Sequence, residues 1–330
     1  MQNDAGTVAY IIVSWNNKTI LDDCIDSINQ QDYADKKIIL VDNDSSDGTV
    51  QYIKEKFPSV LVLPQEANLG FAKGNNIGIM KALEDSGVTH VMLLNSDARL
   101  AKNWTSTILR TALLKPRAAT LQSITLDYYS HSIIDSSHIY ISRMGQAIQG
   151  SYKEIISDNF DAAPQKVFGC NAAAMLITRA FIEAQPFQDF FDETMFMYLE
   201  DVDVAARATI MGWDNYIVPG TRAYHMGSVS AKKKDPSYSL YMTFRNNTGL
   251  LVKNLPTRTL LHILFRLWRA DIASIRHLRR VGQGNAVPAL IKGRLAGLRL
   301  IPVFWHKRRT LKKFADVDSE YLWLLMRHGY

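Results

Sequence analysis

The sequence predicts an α/β chain, a Rossmann-like sheet followed by a basic helical appendage. Three observations carry this. In the first hundred residues short apolar runs alternate with helical segments, the pattern of βαβ units. Three of those runs break off at Ser, Asn or Asp, as strands do when they deliver their last residues into a crevice at the carboxyl edge of a sheet. The third is charge: from Lys253 to Lys313 there are 15 Lys/Arg against one acid, Asp271, although the whole chain carries only +6. At 330 residues, 47% apolar and 21% charged, the chain buries a core. We place one domain over residues 1–235 and a helical, basic region over 236–330.

The elements follow in order. Val8–Trp15 is an apolar run, followed by a helix over Thr19–Asn29. Lys37–Val41 is the second run and leads through Asp42-Asn43-Asp44 to a helix over Thr49–Lys56. Val60–Leu63 is the third run, and a helix is expected over Asn75–Asp85. His90–Leu94 is the fourth and stops at Asn95-Ser96-Asp97, which reads either as a turn before a helix near Lys102 or as a ligand-bearing strand tip. Ala118–Lys166 is less regular and reads as a loop-and-hairpin excursion. Val167–Ile177 returns to a buried strand with a small-residue centre. Helices are expected over Tyr238–Leu255 and Leu260–Arg280, with one or two more in Val303–Tyr330.

Several stretches carry chemistry. Ser14, Asp42 and Asp44 stand at strand tips, where acids can accept hydrogen bonds from a base and a ribose; an Asx turn capping the next helix is the plainer alternative. Glu66–Gly78 sets three glycines and three asparagines around Lys73, leading into a helix; Asn68, Gly70, Lys73 and Asn75 suit a diphosphate held by exposed backbone N–H groups. The Walker spacing is absent. Asp97, joined by Ser96, is a carboxylate that can hold a hard divalent cation. Glu200 and Asp201 form an acid pair that also reads as the first turn of a helix. Cys24 and Cys170 lie far apart without ligand spacing, so they read as buried thiols in a reducing compartment. No signal peptide and no membrane span are expected.

V-S-W-N-N, V-D-N-D-S-S-D-G-T, N-L-G-F-A-K-G-N-N-I-G and L-N-S-D-A, in this order, resemble bacterial family 2 glycosyltransferases, nearest the rhamnosyltransferase-like branch that builds surface polysaccharides. The resemblance spans roughly residues 8–250. It implies a GT-A fold in 1–235 and inverting transfer from a nucleotide-diphosphate sugar, with dTDP-L-rhamnose the expected donor. In F-D-E-T-M-F-M-Y-L-E-D-V-D, Asp201 matches the family's general base, with Glu200 and Asp203 left open as alternatives. An inverting transfer needs a carboxylate opposite the leaving diphosphate to take the acceptor's proton. His225, in T-R-A-Y-H-M-G, is the expected second ligand beside Asp97 for Mn²⁺ or Mg²⁺. The usual D-x-D is reduced to Asn95-Ser96-Asp97, so substrate oxygens must complete the cation's shell. Arg245, in Y-M-T-F-R-N-N, is expected to neutralise charge on a diphosphate.

The acceptor is expected to be a saccharide, carried on a polyprenyl diphosphate. Leu260, Leu261, Leu264, Leu267, Trp268 and Ile275 alternate with arginines, which suits an interfacial helix on the anionic inner face of a cell membrane. Packing on the catalytic domain or on a second copy in a homo-oligomer stays open. No nucleic-acid module is recognisable, so no nucleic acid is expected. Two other functions are kept: transfer from a UDP-hexose or UDP-galactofuranose, and a nucleotide-sugar-binding scaffold without catalysis.

Overall fold

The computed structural model describes residues 6–157, 163–227 and 236–317. Its core is a mixed sheet built from β1 (Thr7–Ser14), β2 (Lys36–Asp42), β3 (Leu61–Pro64), β4 (Val88–Leu94), β6 (Ala118–Asp127), β10 (Gln165–Val167), β11 (Ala174–Thr178) and β12 (Asp214–His225), in the order β10-β12-β6-β11-β4-β1-β2-β3. Strands β4, β1, β2 and β3 are parallel, and β11 runs antiparallel between β4 and β6. Two short strands hang on this sheet: β5 (Ala98–Leu100) pairs with β12 and β7 (Ile134–Ser136) with β6, while β8 (Ile139–Ile141) and β9 (Ala147–Gln149) form a separate hairpin.

Alternation along β1 explains the layers. Val8, Tyr10 and Ile12 point to one face, where α1 (Leu21–Asn29), α2 (Thr49–Lys56) and α4 (Trp104–Leu114) bury Leu21, Ile25, Ile53, Trp104 and Ile108. Ala9 and Ile11 point to the other, against α3 (Gly70–Leu83), α5 (Arg179–Glu183) and α6 (Glu200–Ile210). On that side α3 lies unusually close: a Cβ on Gly78 would stand 2.4 Å from Ile11 Cγ2, and one on Gly74 2.9 Å from Val13. These glycines therefore serve helix–sheet packing.

The C-terminal helices are α7 (Pro236–Asn254), α8 (Thr257–Arg280), α9 (Val287–Arg299) and α10 (Ile301–Lys312). They share a core with the preceding α/β part, since Leu250, Leu251, Leu260, Ile263 and Phe304 cluster with Ile139, Ile141, Val202 and Ala205. The boundary expected at 235/236 meets residues 228–235, outside the described residues, as is the end of the helical stretch expected up to Tyr330.

Four expectations need correction. Ala118–Asp127 is a ten-residue strand inside the sheet, not part of an excursion. Its buried Thr120, Gln122, Ser123 and Thr125 break the apolar signal, yet Thr120 bonds Asn215 at 2.7 Å, Gln122 donates to the Ser137 carbonyl at 3.1 Å and Ser123 accepts from Trp104 Nε1 at 2.9 Å. Val167–Ile177 is not one strand, because Asn171 Oδ1 takes the Ala173 N–H at 2.8 Å in a turn between β10 and β11. Helix α3 begins at Gly70, five residues before expected, and α9 fills a stretch left without an element.

Candidate active site

The tips of β1, β2 and β4 meet at the carboxyl edge, stitched by asparagines. Asn16, at φ 54°, accepts from Ser46 N at 2.8 Å while its own N–H donates to Ser45 Oγ at 2.8 Å. Buried Asn17 donates to Ser96 Oγ at 2.8 Å, and Asn43 donates to the Gly70 carbonyl at 2.9 Å. These amides fix the spacing between strand tips and α3. Ser14 and Asp42 sit opposite each other in register, both buried. Asp42 Oδ2 takes the Ser45 N–H at 3.0 Å, but Asp42 Oδ1 and Ser14 Oγ have no partner among the described residues. Buried polar atoms are almost always satisfied, so these two orphans stand out, although none of Ser14, Asp42 and Asp44 lines the neighbouring cavity. Asp44 is exposed at φ 64°; the hydrogen bond at the start of α2 comes from Asp47 instead.

Beside these tips lies a cavity of about 380 Å³, lined among others by Ser96, Asp97, Glu200, Asp201 and His225. Asp97 follows β4 in the turn that opens β5, and β5 pairs with the end of β12, so Asp97 Oδ1 and His225 Nε2 stand 3.3 Å apart. Asn95 Nδ2 lies 3.3 Å from the same Nε2. Behind the ring, Nδ1 is 2.9 Å from Asp135 on β7. Burial works against charge on this imidazole, but hydrogen bonds to Asp135 and Asp97, with their charges, raise its pKa to about 10. The set fits a divalent cation that displaces the Nε2 proton: one carboxylate and one imidazole nitrogen then face the cavity, and a carboxylate orients the ring from behind, as around metal-binding histidines. Among the described residues no group of three His, Cys, Asp or Glu completes a protein cage.

Across the cavity α6 presents its first turn. Asp201 accepts from Val202 N at 2.8 Å and Ala172 N at 3.4 Å. Burial pushes its carboxyl up to about 6 against those hydrogen bonds. Glu200 is 6% exposed, and its Oε2 lacks a partner. Burial, then the charge of Asp201, pushes it higher still, to about 8. Burial raises both carboxyls, and ionisation of either opposes that of the other. Asp203 is removed as an alternative base: it is fully buried and held by Arg207 at 3.0 Å, Lys253 at 2.9 Å and Asn254 at 2.7 Å.

The segment before this turn is strained. Phe196, Tyr198 and Leu199 all have positive φ, at 63°, 71° and 70°. Each such residue costs on the order of 1–3 kcal/mol and persists only where its surroundings dictate it. Asn246 on α7 does so, donating to the carbonyls of Met195, Met197 and Tyr198 at 2.8–2.9 Å. Arg245 adds a bond to the Thr194 carbonyl at 2.9 Å. The guanidinium expected at a diphosphate therefore holds this segment, and Arg245 is not among the cavity's lining residues.

The glycine–asparagine stretch also differs from expectation. It is the beginning of α3, not a loop: Asn68 Oδ1 takes the Gly70 N–H at 3.0 Å, Asn75 donates to the Phe71 carbonyl at 2.9 Å, and Lys73 pairs with Glu193 at 3.4 Å. Gly70, at φ 80°, lies against Phe196. Asn68, Gly70, Lys73 and Asn75 line no part of the cavity; Phe71 does. Sequence reasoning missed Asn17, Asn43, Asp135 and Asn246. Three of the four stand inside the quoted motifs, and only Asp135 carried no signal.

The pattern of glycosyl transferase family 2 matches residues 10–182. The chain belongs to that family. The transferase is 26% identical over 221 residues to the N-acetylglucosaminyl-diphospho-decaprenol L-rhamnosyltransferases of two Mycobacterium tuberculosis strains, covering 61% of this chain and 70% of each relative. Its fold is similar to GalNAc-T7, solved with UDP, GalNAc and Mn²⁺, at a TM-score of 0.59 and 15% identity over 76% of this chain. It spans about half of that longer chain, 48%. The GT-A architecture expected from the sequence is thereby established, with the helices of the C-terminal region added to it.

Proposed function

We propose that this transferase moves L-rhamnose from dTDP-L-rhamnose, with inversion, onto a saccharide carried by a polyprenyl diphosphate. One observation carries the reading: a single cavity joins the Asp97–His225 pair to the buried Glu200–Asp201 pair. The orphaned Ser14 Oγ and Asp42 Oδ1 would receive the nucleoside, and Asp97 and His225 would hold a divalent cation. Bound there, the cation neutralises charge on the leaving diphosphate. Asp201, raised by burial beside Glu200, takes the proton of the acceptor hydroxyl as it attacks the anomeric carbon and the nucleoside diphosphate leaves. The rhamnose and lipid-linked acceptor are inferred from the mycobacterial relatives, whose name specifies both L-rhamnose and a diphospho-decaprenol carrier.

The C-terminal helices support work at the inner face of the membrane. No helix among the described residues is long and apolar enough to cross one. Leu260 and Leu267 turn inward, leaving Leu261, Leu264, Phe265, Trp268 and Ile272 exposed on α8. Eleven of the fifteen Lys/Arg between Lys253 and Lys313 are exposed as well. An apolar stripe flanked by cations suits anionic lipid. Flotation with vesicles containing phosphatidylglycerol is expected for the wild type and lost in a Phe265→Ser/Trp268→Ser variant; equal flotation of both would remove this role.

The function is tested by a panel of nucleotide sugars with Mn²⁺ and a polyprenyl-diphosphate-linked N-acetylglucosamine. Turnover is expected with dTDP-L-rhamnose. Turnover only with a UDP-hexose or UDP-galactofuranose replaces the donor, and binding without any turnover makes the protein a scaffold. Asp135→Asn is expected to weaken Mn²⁺ about 10–100-fold, as loss of an orienting carboxylate does, measured by titration of the metal into the protein with dTDP present.

A further inference from the structure

A second cavity, of about 290 Å³, opens where α6 ends and α7 hands over to α8, with Ile210, Lys253, Asn254, Thr257, Arg308 and Lys312 in its wall. It lies at the far end of α6 from Glu200 and Asp201, about 16 Å along an 11-residue helix. Arg308 is 2% exposed, and its hydrogen bonds all go to neutral oxygens: the carbonyls of Val252 at 2.9 Å and of Leu255, and Thr257 Oγ1 at 3.0 Å. Its Nε has no partner among the described residues. Burial accordingly lowers the Arg308 pKa, with no anion acting against it. A guanidinium taken out of water without a counter-charge is costly and calls for an anion.

The surroundings favour one. Thr257 begins α8, a helix of 24 residues whose N-cap, Pro256, offers no side-chain acceptor. Pro256 and Thr257 are both in the cavity wall, so the positive dipole end of this helix lies at the cavity. Lys253 is already engaged by Asp192 and Asp203 at 2.8 and 2.9 Å, whereas Lys312 is exposed and enters none of the ion pairs found among the described residues. Arg308, Lys312 and the helix end together place more than two unneutralised positive charges around a small volume. A carboxylate would offset one. A phosphate offsets two and offers three oxygens to three separate donors.

We propose that this cavity is a phosphate-binding site, distinct from the sugar-transfer cavity. The phosphate belongs either to a small soluble ester or to a lipid headgroup, since the same α8 carries the exposed apolar stripe.

The test uses the full chain, with inorganic phosphate titrated against chloride at equal ionic strength and binding followed by calorimetry and Tm. Phosphate is expected to bind and raise Tm. Lys312→Glu should weaken it about 10-fold or more, the effect of one charge-assisted hydrogen bond. Lys313→Glu, the adjacent residue outside the cavity wall, should leave it unchanged. Arg308→Gln should abolish binding, and because Arg308 also ties α7 to α8, the surface variant decides if that protein fails to fold. Vesicles with and without phosphatidic acid separate the sources: a headgroup ligand makes phosphatidic acid binding fall in Lys312→Glu, and a soluble ester leaves it unmoved. Equal phosphate affinity in wild type and Lys312→Glu, or no preference for phosphate over chloride, overturns the site.

Discussion

Replacing Asp201 by Asn should lower the rate of transfer by about 10²–10⁴, the range a positioned general base contributes, while donor binding stays intact. The amide keeps the size of the side chain, and its oxygen can still accept from Val202 N, the shorter of the two bonds, so the first turn of α6 keeps its geometry; only the 3.4 Å bond from Ala172 N is lost. What it loses is the ability to accept a proton. In the proposed reaction donor binding is separate, because the nucleoside would sit with Ser14 and Asp42 at the strand tips and the diphosphate with Asp97 and His225. Turnover within about 10-fold of wild type in Asp201→Asn would transfer the role of base elsewhere, and Glu200 would be next in line.

The largest effect on stability is expected from Lys253→Met. Its ammonium is 2% exposed and joins Asp192, at 2.8 Å, to Asp203, at 2.9 Å. Asp203 also holds Arg207 and Asn254, and Asp192 also holds Lys307 at 2.5 Å. Removing Lys253 leaves two buried carboxylates under-compensated, which typically costs about 3–5 kcal/mol. Its position adds a functional consequence. Asp192 begins the segment that runs through the strained Phe196, Tyr198 and Leu199, and Asp203 lies two residues beyond Asp201 on α6. Denaturant unfolding of the variant should show the loss directly, and activity should fall with it; a midpoint within error of wild type would mean that Lys307, Arg207 and Asn254 suffice.

Burial of the acid pair has its own signature in stability. Asp201 and Glu200 both have pKa values above their ordinary ones, so the folded chain binds more protons than the unfolded one between about pH 4 and 8. Their contribution is therefore fully present at low pH and lost as pH rises through that window, opposite in sign to an acid held in an ion pair.

The first four strands were legible because each is a short apolar run, three of them ending in Ser, Asn or Asp, and because β1 alternates cleanly between two helical layers. Asp97, Glu200, Asp201 and His225 were legible through their motifs, and the structure brings them to one cavity. The central strand Ala118–Asp127 was hidden by its own buried polar residues, which find partners only after folding. Asp135 was hidden for a different reason: nothing local marks a carboxylate whose importance comes from a ring 90 residues away. The Asn68–Asn75 stretch misled because glycines that let a helix approach a strand look, in sequence, like glycines that open a phosphate loop. Arg245 and Asn246 carried a visible motif, but their work on the backbone at 194–198 required α7 to be docked.

The dependence of kcat/KM on pH, measured for the wild type with saturating Mn²⁺ and a lipid-linked acceptor, bears most directly on the claim that Asp201 is the base in a buried acid pair. The predicted result is a rate that falls below pH about 6, as the Asp201 carboxylate takes up its proton. A rate that stays flat from well below that point to neutrality, or an acid limb unchanged in Asp201→Asn, would contradict it.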